Sequence, residues 1–155
     1  SPHPVAQLQI ERLLSAKESR NLPLHIKDLE HGLQFPTINE GNILCMHILP
    51  EFQEAATTID IPNQFAKLVI EAINLGKYDC LIVFGGETAY AICQQLSIKG
   101  LEIISVFDTV MAIAKPKGSI QLPCSIITKG GSVGSSNILV SFLNSIRSKV
   151  KSYES

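Results

Sequence analysis

Apolar residues in this chain form short continuous runs that alternate with stripes at helical spacing, and this pattern predicts an α/β fold. The clearest helical stripe begins at Pro62 and runs to Ile73, and Gly76 is expected as its C′ cap. The other predicted helices are Pro4–Arg20, Glu87–Leu96, Ser136–Lys149 and a short one within the connection Lys27–Gly41. The predicted strands are Leu22–Ile26, Asn42–Leu49, Cys80–Phe84, Leu101–Val106, Val110–Ala114 and Leu122–Thr128, and Lys115–Gly118 is predicted as a turn.

Near-continuous apolar strands that alternate with helices are typical of a sheet buried on both faces. We therefore expect a three-layer Rossmann-like α/β domain with a mostly parallel sheet covered by helices on both sides. The chain has 155 residues and no internal repeat or low-complexity linker. Residues 1–155 are therefore interpreted as a single domain.

The first of two glycine-containing elbows joins the apolar run Leu81–Phe84 to Gly85, Gly86, Glu87 and Thr88. A strand that turns on glycines into a helix leaves several backbone N–H groups free in a small volume, at the positive end of the helix dipole. Thr88 adds a hydroxyl, and the Glu87 carboxylate suits a hydroxyl group, a metal or a basic side chain. A tight turn with an acidic residue in the first helical turn is the purely structural alternative.

The second elbow follows Lys129 and contains three glycines and three serines within residues 130–136. Backbone amides and serine hydroxyls suit phosphate oxygens, and Lys129 adds a cation beside Gly130, Gly131 and Gly134. Neither the P-loop spacing nor the dinucleotide fingerprint fits this segment. A flexible surface loop capped by one of its own serines is the alternative. Ligands of open α/β sheets bind beyond the carboxyl ends of the strands, so two such elbows predict a cradle for a phosphate chain.

Composition narrows the classes of function further. The apolar fraction of 45% and the charged fraction of 17% are those of a folded chain, and a net charge of −1 disfavours a nucleic-acid binder. The four cysteines and four histidines are dispersed, so no zinc site is expected. No apolar stretch approaches the roughly 18 residues of a membrane span, and a cytoplasmic location is expected. No nucleophile is paired with a base, and Asp108 is a further carboxylate that could face the edge of the elbows.

Three segments of this sequence resemble the C-terminal nucleotide-binding domain of the four-carbon acid sugar kinase family. Ser1–Val5, followed by Gln9, is similar to the family's Gly-Ser-x-x-Pro-Val segment with its downstream glutamine. Val83–Ala89 is similar to its Gly-Gly-Glu/Asp-Thr segment, and Thr128–Gly134 to its Lys-Ser-Gly-(Gly/Asn)-Phe-Gly loop. The chain departs from the family at Phe107–Met111, where a Gly-x-Pro turn is usual.

The resemblance implies that the chain is the ATP-binding half of a two-domain kinase that acts on threonate, erythronate or 3-oxotetronate. It implies contacts with ATP and Mg²⁺, and an N-terminal domain of the same protein that binds the sugar acid and supplies the catalytic base. The residues implied or predicted to hold the nucleotide are Ser1, Gly85, Gly86, Glu87, Thr88, Lys129, Gly130, Gly131 and Gly134. A homodimer is one candidate assembly.

Two other functions remain open from the sequence. One is a non-catalytic Rossmann-like module that binds a nucleotide or another anion, and the other is a stand-alone enzyme with its site at the same sheet edge. An upstream substrate-binding domain would favour the kinase, whereas a natural start near Ser1 would favour a module.

Overall fold

The computed structural model describes residues 3–16, 19–31, 33–35, 43–49, 59–76, 78–118, 122 and 124–154. Its helices are α1 (Pro4–Ala16), α2 (Asp28–His31), α3 (Ile61–Leu75), α4 (Gly86–Gln95) and α5 (Ile138–Glu154). Its strands are β1 (Ser19–Leu24), β2 (Ile43–Ile48), β3 (Cys80–Phe84), β4 (Gly100–Phe107), β5 (Met111–Lys117) and β6 (Ser125–Lys129). None of the described helices is long and apolar enough to cross a membrane.

The strands form a parallel pair, β1–β2, and a four-stranded sheet in the order β3-β6-β5-β4. In the larger sheet β3 and β6 are parallel, while β5 runs antiparallel to both β6 and β4. The α/β class is confirmed, but the prediction of a mostly parallel sheet is wrong. The connections from β4 to β5 and from β5 to β6 are three and seven residues long, whereas a parallel crossover needs a connection of about a dozen residues or more.

Hydrophobic clusters on the sheet explain how its strands are covered. Alternate residues of a strand face opposite sides, and in β3 Val83 packs with α3 and α4, whereas Ile82 packs with α1 and α5. The second cluster includes Leu13 of α1 and the fully buried Phe142 of α5, whose ring meets Phe107 edge to face at 5.3 Å. Helices therefore contribute to the core on both faces, as the apolar strand composition predicts.

The face of helix α1 that packs on the core includes a polar residue. Its buried residues are Ala6, Gln9 and Leu13, while the side chain of Leu8 is 43% exposed. A polar residue in the middle of the buried stripe obscures the helical period. The helix also ends at Ala16 rather than Arg20, because Arg20 belongs to β1 and pairs with Leu44.

Two further local predictions need correction. Lys115, Pro116 and Lys117 are not a turn but the end of β5. The pairing of β5 with β6 extends only to Ala114, opposite Ile126 near the start of β6. Pro116 therefore has a partner strand on one side only within the described sheet, and its missing N–H is tolerated there. Gly76 does follow α3, but its φ of −108° and ψ of 173° are extended, so it is not a left-handed cap.

Candidate functional site

The first elbow has the strand–glycine–helix geometry that the sequence predicts. Strand β3 ends at Phe84, and Gly85 then takes φ +92° and ψ 139°, a conformation that L-residues rarely adopt, before α4 begins at Gly86. No side chain caps this helix. By contrast, the side chain of Asp60 accepts a hydrogen bond from the Asn63 amide and caps α3. The first-turn amides of α4 are therefore left to water or a ligand.

The second elbow lies directly beside the first because β3 and β6 are parallel neighbours. Phe84 pairs with Lys129, the last residue of β6, and the amide of Gly85 donates to the Lys129 carbonyl at 3.1 Å. Both strands thus end at the same edge of the sheet. Residues 130–137 then lead into α5, which begins at Ile138. The two elbows that the sequence places far apart meet in one site.

A cavity of about 350 Å³ opens at this edge. Its lining combines backbone of both elbows with small apolar side chains, contributed by Gly85, Gly86, Ala89, Val110, Ala112, Thr128, Lys129 and Gly130. A Cβ added at Gly85 or Gly86 would meet no atom within 4 Å. The space in front of these glycines is therefore open, and a ligand could approach the backbone closely.

Lys129 is the cation of this site, and its side chain is only 3% exposed. Its Nζ donates to the carbonyl of Gly130 at 2.5 Å and to that of Val133 at 2.8 Å, and it lies 5.0 Å from the centre of the Phe84 ring. Burial disfavours the charged ammonium and lowers the pKa of Lys129 below its ordinary value. In this structure Lys129 thus organises its own loop, and its contact with a phosphate stays a prediction.

Gln9 is a site component that the sequence reasoning did not identify as such. Its side chain is fully buried, and its Nε2 donates to three successive loop carbonyls, those of Val133, Gly134 and Ser135, at 3.0, 3.2 and 3.0 Å. Gly134 has φ +92°, and a Cβ there would lie 3.3 Å from this Nε2 and 3.0 Å from Cδ1 of Ile138. A lone amide within the buried stripe of α1 is the sequence signal that could have found it.

The other residues predicted to bind the nucleotide occupy varied positions. Gly86 and Glu87 are exposed in the first turn of α4, and Thr88 is half-buried beside them. In the loop, Gly131 is half-buried, whereas Gly130 and Gly134 are exposed. Ser1 lies outside the described residues.

Asp108 and Thr109 form a tight hairpin at the same end of the sheet. Their φ values are +48° and +60°, and the amide of Val110 donates to the Phe107 carbonyl at 3.2 Å. Two left-handed residues between antiparallel strands are typical of a type I′ turn, in which a β-branched threonine is unfavourable. Because Val110 lines the cavity, this strained turn adjoins the site.

Metal-binding and thiol chemistry find little support around the cavity. Within the described parts of the chain, no group of three or more histidine, cysteine or acidic side chains could hold a metal ion. Burial raises the pKa of Cys45 and of Cys80 to about 11, so both thiols are protonated at neutral pH. Backbone donors therefore dominate the chemistry of this site.

Fold and site together define an α/β domain in which two parallel strands end beside one cavity. Residues 47–139, more than half of the chain, match the model of the nucleotide-binding C-terminal domain, and the chain belongs to this family. Solved structures with the same fold are DUF1537 proteins, which are four-carbon acid sugar kinase family members, so the resemblance seen in the sequence is confirmed.

Three solved structures share the fold at low sequence identity. A Bordetella bronchiseptica protein described as a domain of unknown function (DUF1537), with bound citrate and as a domain-swapped dimer, is 16% identical with a TM-score of 0.74. This match covers 95% of the present chain and 39% of that one. A second crystal form gives 17% identity, a TM-score of 0.69 and coverages of 95% and 37%.

A DUF1537 protein of Haemophilus influenzae is 18% identical with a TM-score of 0.62, over 87% of this chain and 36% of that one. The chain thus spans less than two-fifths of the length of the solved structures it matches. At these identities the likeness concerns the fold. No curated protein matches the chain.

Proposed function

We propose that this chain holds the ATP of a kinase that phosphorylates a four-carbon sugar acid of the threonate, erythronate or 3-oxotetronate type. The observation that carries the proposal is the parallel pairing of β3 with β6, which brings both glycine elbows to one cavity of about 350 Å³. Membership of the nucleotide-binding family supports ATP as the ligand. The cavity lies within the range of roughly 300–1,000 Å³ common for small-molecule sites.

The two elbows offer the phosphate chain two sets of backbone donors. The uncapped first turn of α4 presents the amides of Gly86, Glu87 and Thr88 at the positive end of the helix dipole. The loop after Lys129 presents further amides across the cavity. Small apolar side chains of Ala89, Val110 and Ala112 line the remainder, where a less polar part of the nucleotide would pack.

Magnesium fits this arrangement as a companion of the phosphates rather than as a resident ion. Mg²⁺ keeps several waters and binds through one or two carboxylates together with substrate phosphates, so it needs no preformed protein cage. When bound with ATP it neutralises charge on the phosphate oxygens. Glu87 is the acidic residue in the first turn of α4 and is exposed beside the cavity.

The rest of the reaction belongs, in this proposal, to an N-terminal domain of the same protein. Phosphoryl transfer depends on positioning and charge stabilisation, so two domains that close on each other can divide the work. This chain would hold the γ-phosphoryl group, and the other domain would bind the sugar acid and take the proton from its attacking hydroxyl. The chain's share of its solved relatives, less than two-fifths, leaves room for such a domain.

The Bordetella relative supports two finer points. Its bound citrate is a hydroxy acid, the chemical class to which the proposed substrates belong, and its domain-swapped dimer supports a homodimer here. A cytoplasmic location is part of the same proposal. We expect the isolated chain to bind ATP weakly and to transfer no phosphoryl group.

One observation favours a second candidate, a non-catalytic nucleotide- or anion-binding module. Lys129 is the only cation that lines the described cavity, and its Nζ is engaged by two carbonyls of its own loop. A kinase site usually directs a free cation at the transferring phosphoryl group. The two candidates differ in turnover by the full-length protein, which the module would lack.

A calorimetric titration of the chain with ATP and Mg²⁺ tests the nucleotide site. Gly86→Ala and Gly100→Ala are matched variants, because neither glycine has a positive φ and an added Cβ at either meets nothing within 4 Å. Gly100 begins β4, seven residues from Phe107 and so about 23 Å along the strand from the site edge. We expect both variants to fold and only Gly86→Ala to weaken ATP binding, because its methyl group occupies the space of a phosphate.

Three results would contradict parts of the proposal. Equal affinity of wild type and Gly86→Ala would mean that the nucleotide does not approach this backbone. Absence of saturable binding at millimolar ATP, by both this chain and the full-length protein, would remove the nucleotide site altogether. Phosphorylation of a threonate-like acid by the isolated chain would refute the division of labour between domains.

A further inference from the structure

The glycine–serine loop is held from its inner side by two buried donors that come from different elements. Lys129 donates to the carbonyls of Gly130 and Val133, and Gln9 of α1 donates to those of Val133, Gly134 and Ser135. The exposed fraction of Gln9 is 0% and that of Lys129 is 3%. Four loop carbonyls are therefore directed inward, at Gly130 and at 133–135, and the Val133 carbonyl accepts from both side chains.

The direction of these carbonyls determines the direction of the loop amides. In a planar trans peptide, the C=O of one residue and the N–H of the next point in opposite directions, and no described peptide bond is cis. The amides that follow the held carbonyls, those of Gly131, Gly134, Ser135 and Ser136, must then face away from Gln9 and Lys129. None of these four amides donates a backbone hydrogen bond within the described structure.

We infer that Gln9 is a positioning residue that, with Lys129, turns the loop amides toward the phosphates of the nucleotide. This inference rests on the proposed nucleotide site and assigns a function to a residue that touches no ligand itself. Gln9 acts from α1, more than a hundred residues away in sequence, so the anion site depends on the packing of α1 against α5. A preorganised set of amides binds an anion without the cost of ordering the loop at that moment.

The side-chain oxygen of Gln9 shows that the loop carbonyls determine the orientation of the amide. Its Oε1 is buried and has no hydrogen-bond partner. Turning the amide over would give Oε1 no partner either, and would place it against three carbonyl oxygens. A buried acceptor is thus left unpaired so that the loop carbonyls can be paired, which is the arrangement expected where the loop geometry matters.

Replacing the amide by a carboxylate tests the inference. In Gln9→Glu the shape is kept, but at pH 8 an acceptor-only group would face three carbonyls and the loop would lose its donor. We expect ATP–Mg²⁺ binding to weaken about 10- to 100-fold. This is the loss of affinity seen in metal sites when a residue that orients a ligand by a hydrogen bond is removed. Burial raises the pKa of the introduced carboxyl above its usual value of about 4.3, and the Lys129 ammonium, which donates to the same Val133 carbonyl, opposes this rise. Protonation of the carboxyl at low pH restores an O–H donor. The ratio of variant to wild-type dissociation constants should therefore fall from pH 8 to pH 5.

Leu8→Glu is the matched control, because it adds the same charge to the neighbouring position of α1 at a site that is 43% exposed. It should bind ATP like wild type and show no pH-dependent ratio. Gln9→Leu, which removes the donor without adding charge, should weaken binding at every pH. NMR order parameters of the backbone amides of residues 131–136 in the ligand-free chain provide a readout that needs no ATP, and they should be lower in both Gln9 variants than in wild type and Leu8→Glu.

The outcomes separate this inference from the proposed function. Wild-type affinity of Gln9→Glu at pH 8, or unchanged order parameters of the loop amides in a folded Gln9 variant, would overturn the positioning role even if ATP binds. If wild type fails to bind ATP while the Gln9 variants still loosen the loop, the nucleotide proposal fails and the control of the loop by Gln9 stands. If Gln9→Leu does not fold, the inference is tested by the ATP affinity of Gln9→Glu at pH 5 and pH 8.

Discussion

Gly85→Ala tests the backbone strain at the first elbow without adding a steric clash. An alanine Cβ at this position would meet no atom within 4 Å, so overpacking contributes nothing. The backbone, however, has φ +92° and ψ 139°, which is nearly restricted to glycine. Holding a non-glycine residue in such a conformation costs about 1–3 kcal/mol. Alanine also makes the unfolded chain less flexible, which offsets about 0.4–1 kcal/mol.

The net expectation for Gly85→Ala is a loss of about 1–2 kcal/mol in the free energy of unfolding. For a chain of this length, each kcal/mol lowers the melting temperature by about 2–4 °C. Urea unfolding followed by circular dichroism measures the free energy, and an unchanged m-value would show that the denatured state is not altered. Relaxation of φ would instead break the hydrogen bond from Gly85 to the Lys129 carbonyl, which also destabilises the elbow.

Gly86→Ala is the control for this argument, since Gly86 has equal space around its Cα but no positive φ and is the first residue of α4. Its stability should equal or slightly exceed that of wild type, because alanine is a better helix residue than glycine. Wild-type stability of Gly85→Ala would refute the strain argument. An equal loss in both variants would show that something other than φ determines stability at this elbow.

The remaining predictions concern the hairpin and the buried thiols. Thr109→Gly should stabilise the fold by about 0.5–1 kcal/mol, measured by thermal unfolding. A β-branched residue in the left-handed conformation costs about 1–2 kcal/mol, and the greater flexibility of glycine in the unfolded chain cancels part of that gain. A destabilised variant would contradict this prediction. Stability should fall as pH rises from about 9 to about 11, because the folded state keeps Cys45 and Cys80 protonated up to about 11 whereas the unfolded thiols ionise near 9.0. Cys45→Ala with Cys80→Ala should reduce that alkaline decline, and the raised pKa values of Cys93, Cys124 and Tyr78 account for the remainder. An unchanged pH profile would show that Cys45 and Cys80 do not contribute.

Predictions from sequence succeeded where a segment's structure depends on its own residues. The apolar run Cys80–Phe84 is β3 with the predicted bounds, and the elbow glycines lie where a strand turns into a helix. The helix after Asp60 has the expected proline in its first turn and the expected buried stripe. These features follow from apolar periodicity, caps and φ restrictions, which act over a few residues.

Sheet direction was predicted wrongly although the sequence held the relevant signal. Strands β4 and β5 are joined by only three residues, Asp108, Thr109 and Val110, and β5 continues through Pro116 to Lys117. So short a connection permits only antiparallel pairing. The turn was not recognised from the sequence because it contains neither glycine nor proline, and left-handed Asp and Thr are uncommon outside such hairpins.

The sequence by itself determined the α/β class, the two elbows and the residue types that suit a phosphate chain. Only the tertiary structure placed Phe84 beside Lys129, directed the Lys129 ammonium at its own loop and brought Gln9 from α1 to three loop carbonyls. Local patterns report the conformation of a few neighbouring residues, whereas these contacts join positions up to 126 residues apart. Which donor meets which acceptor depends on how the helices pack on the sheet, because a buried polar group must find its partner wherever the fold provides one.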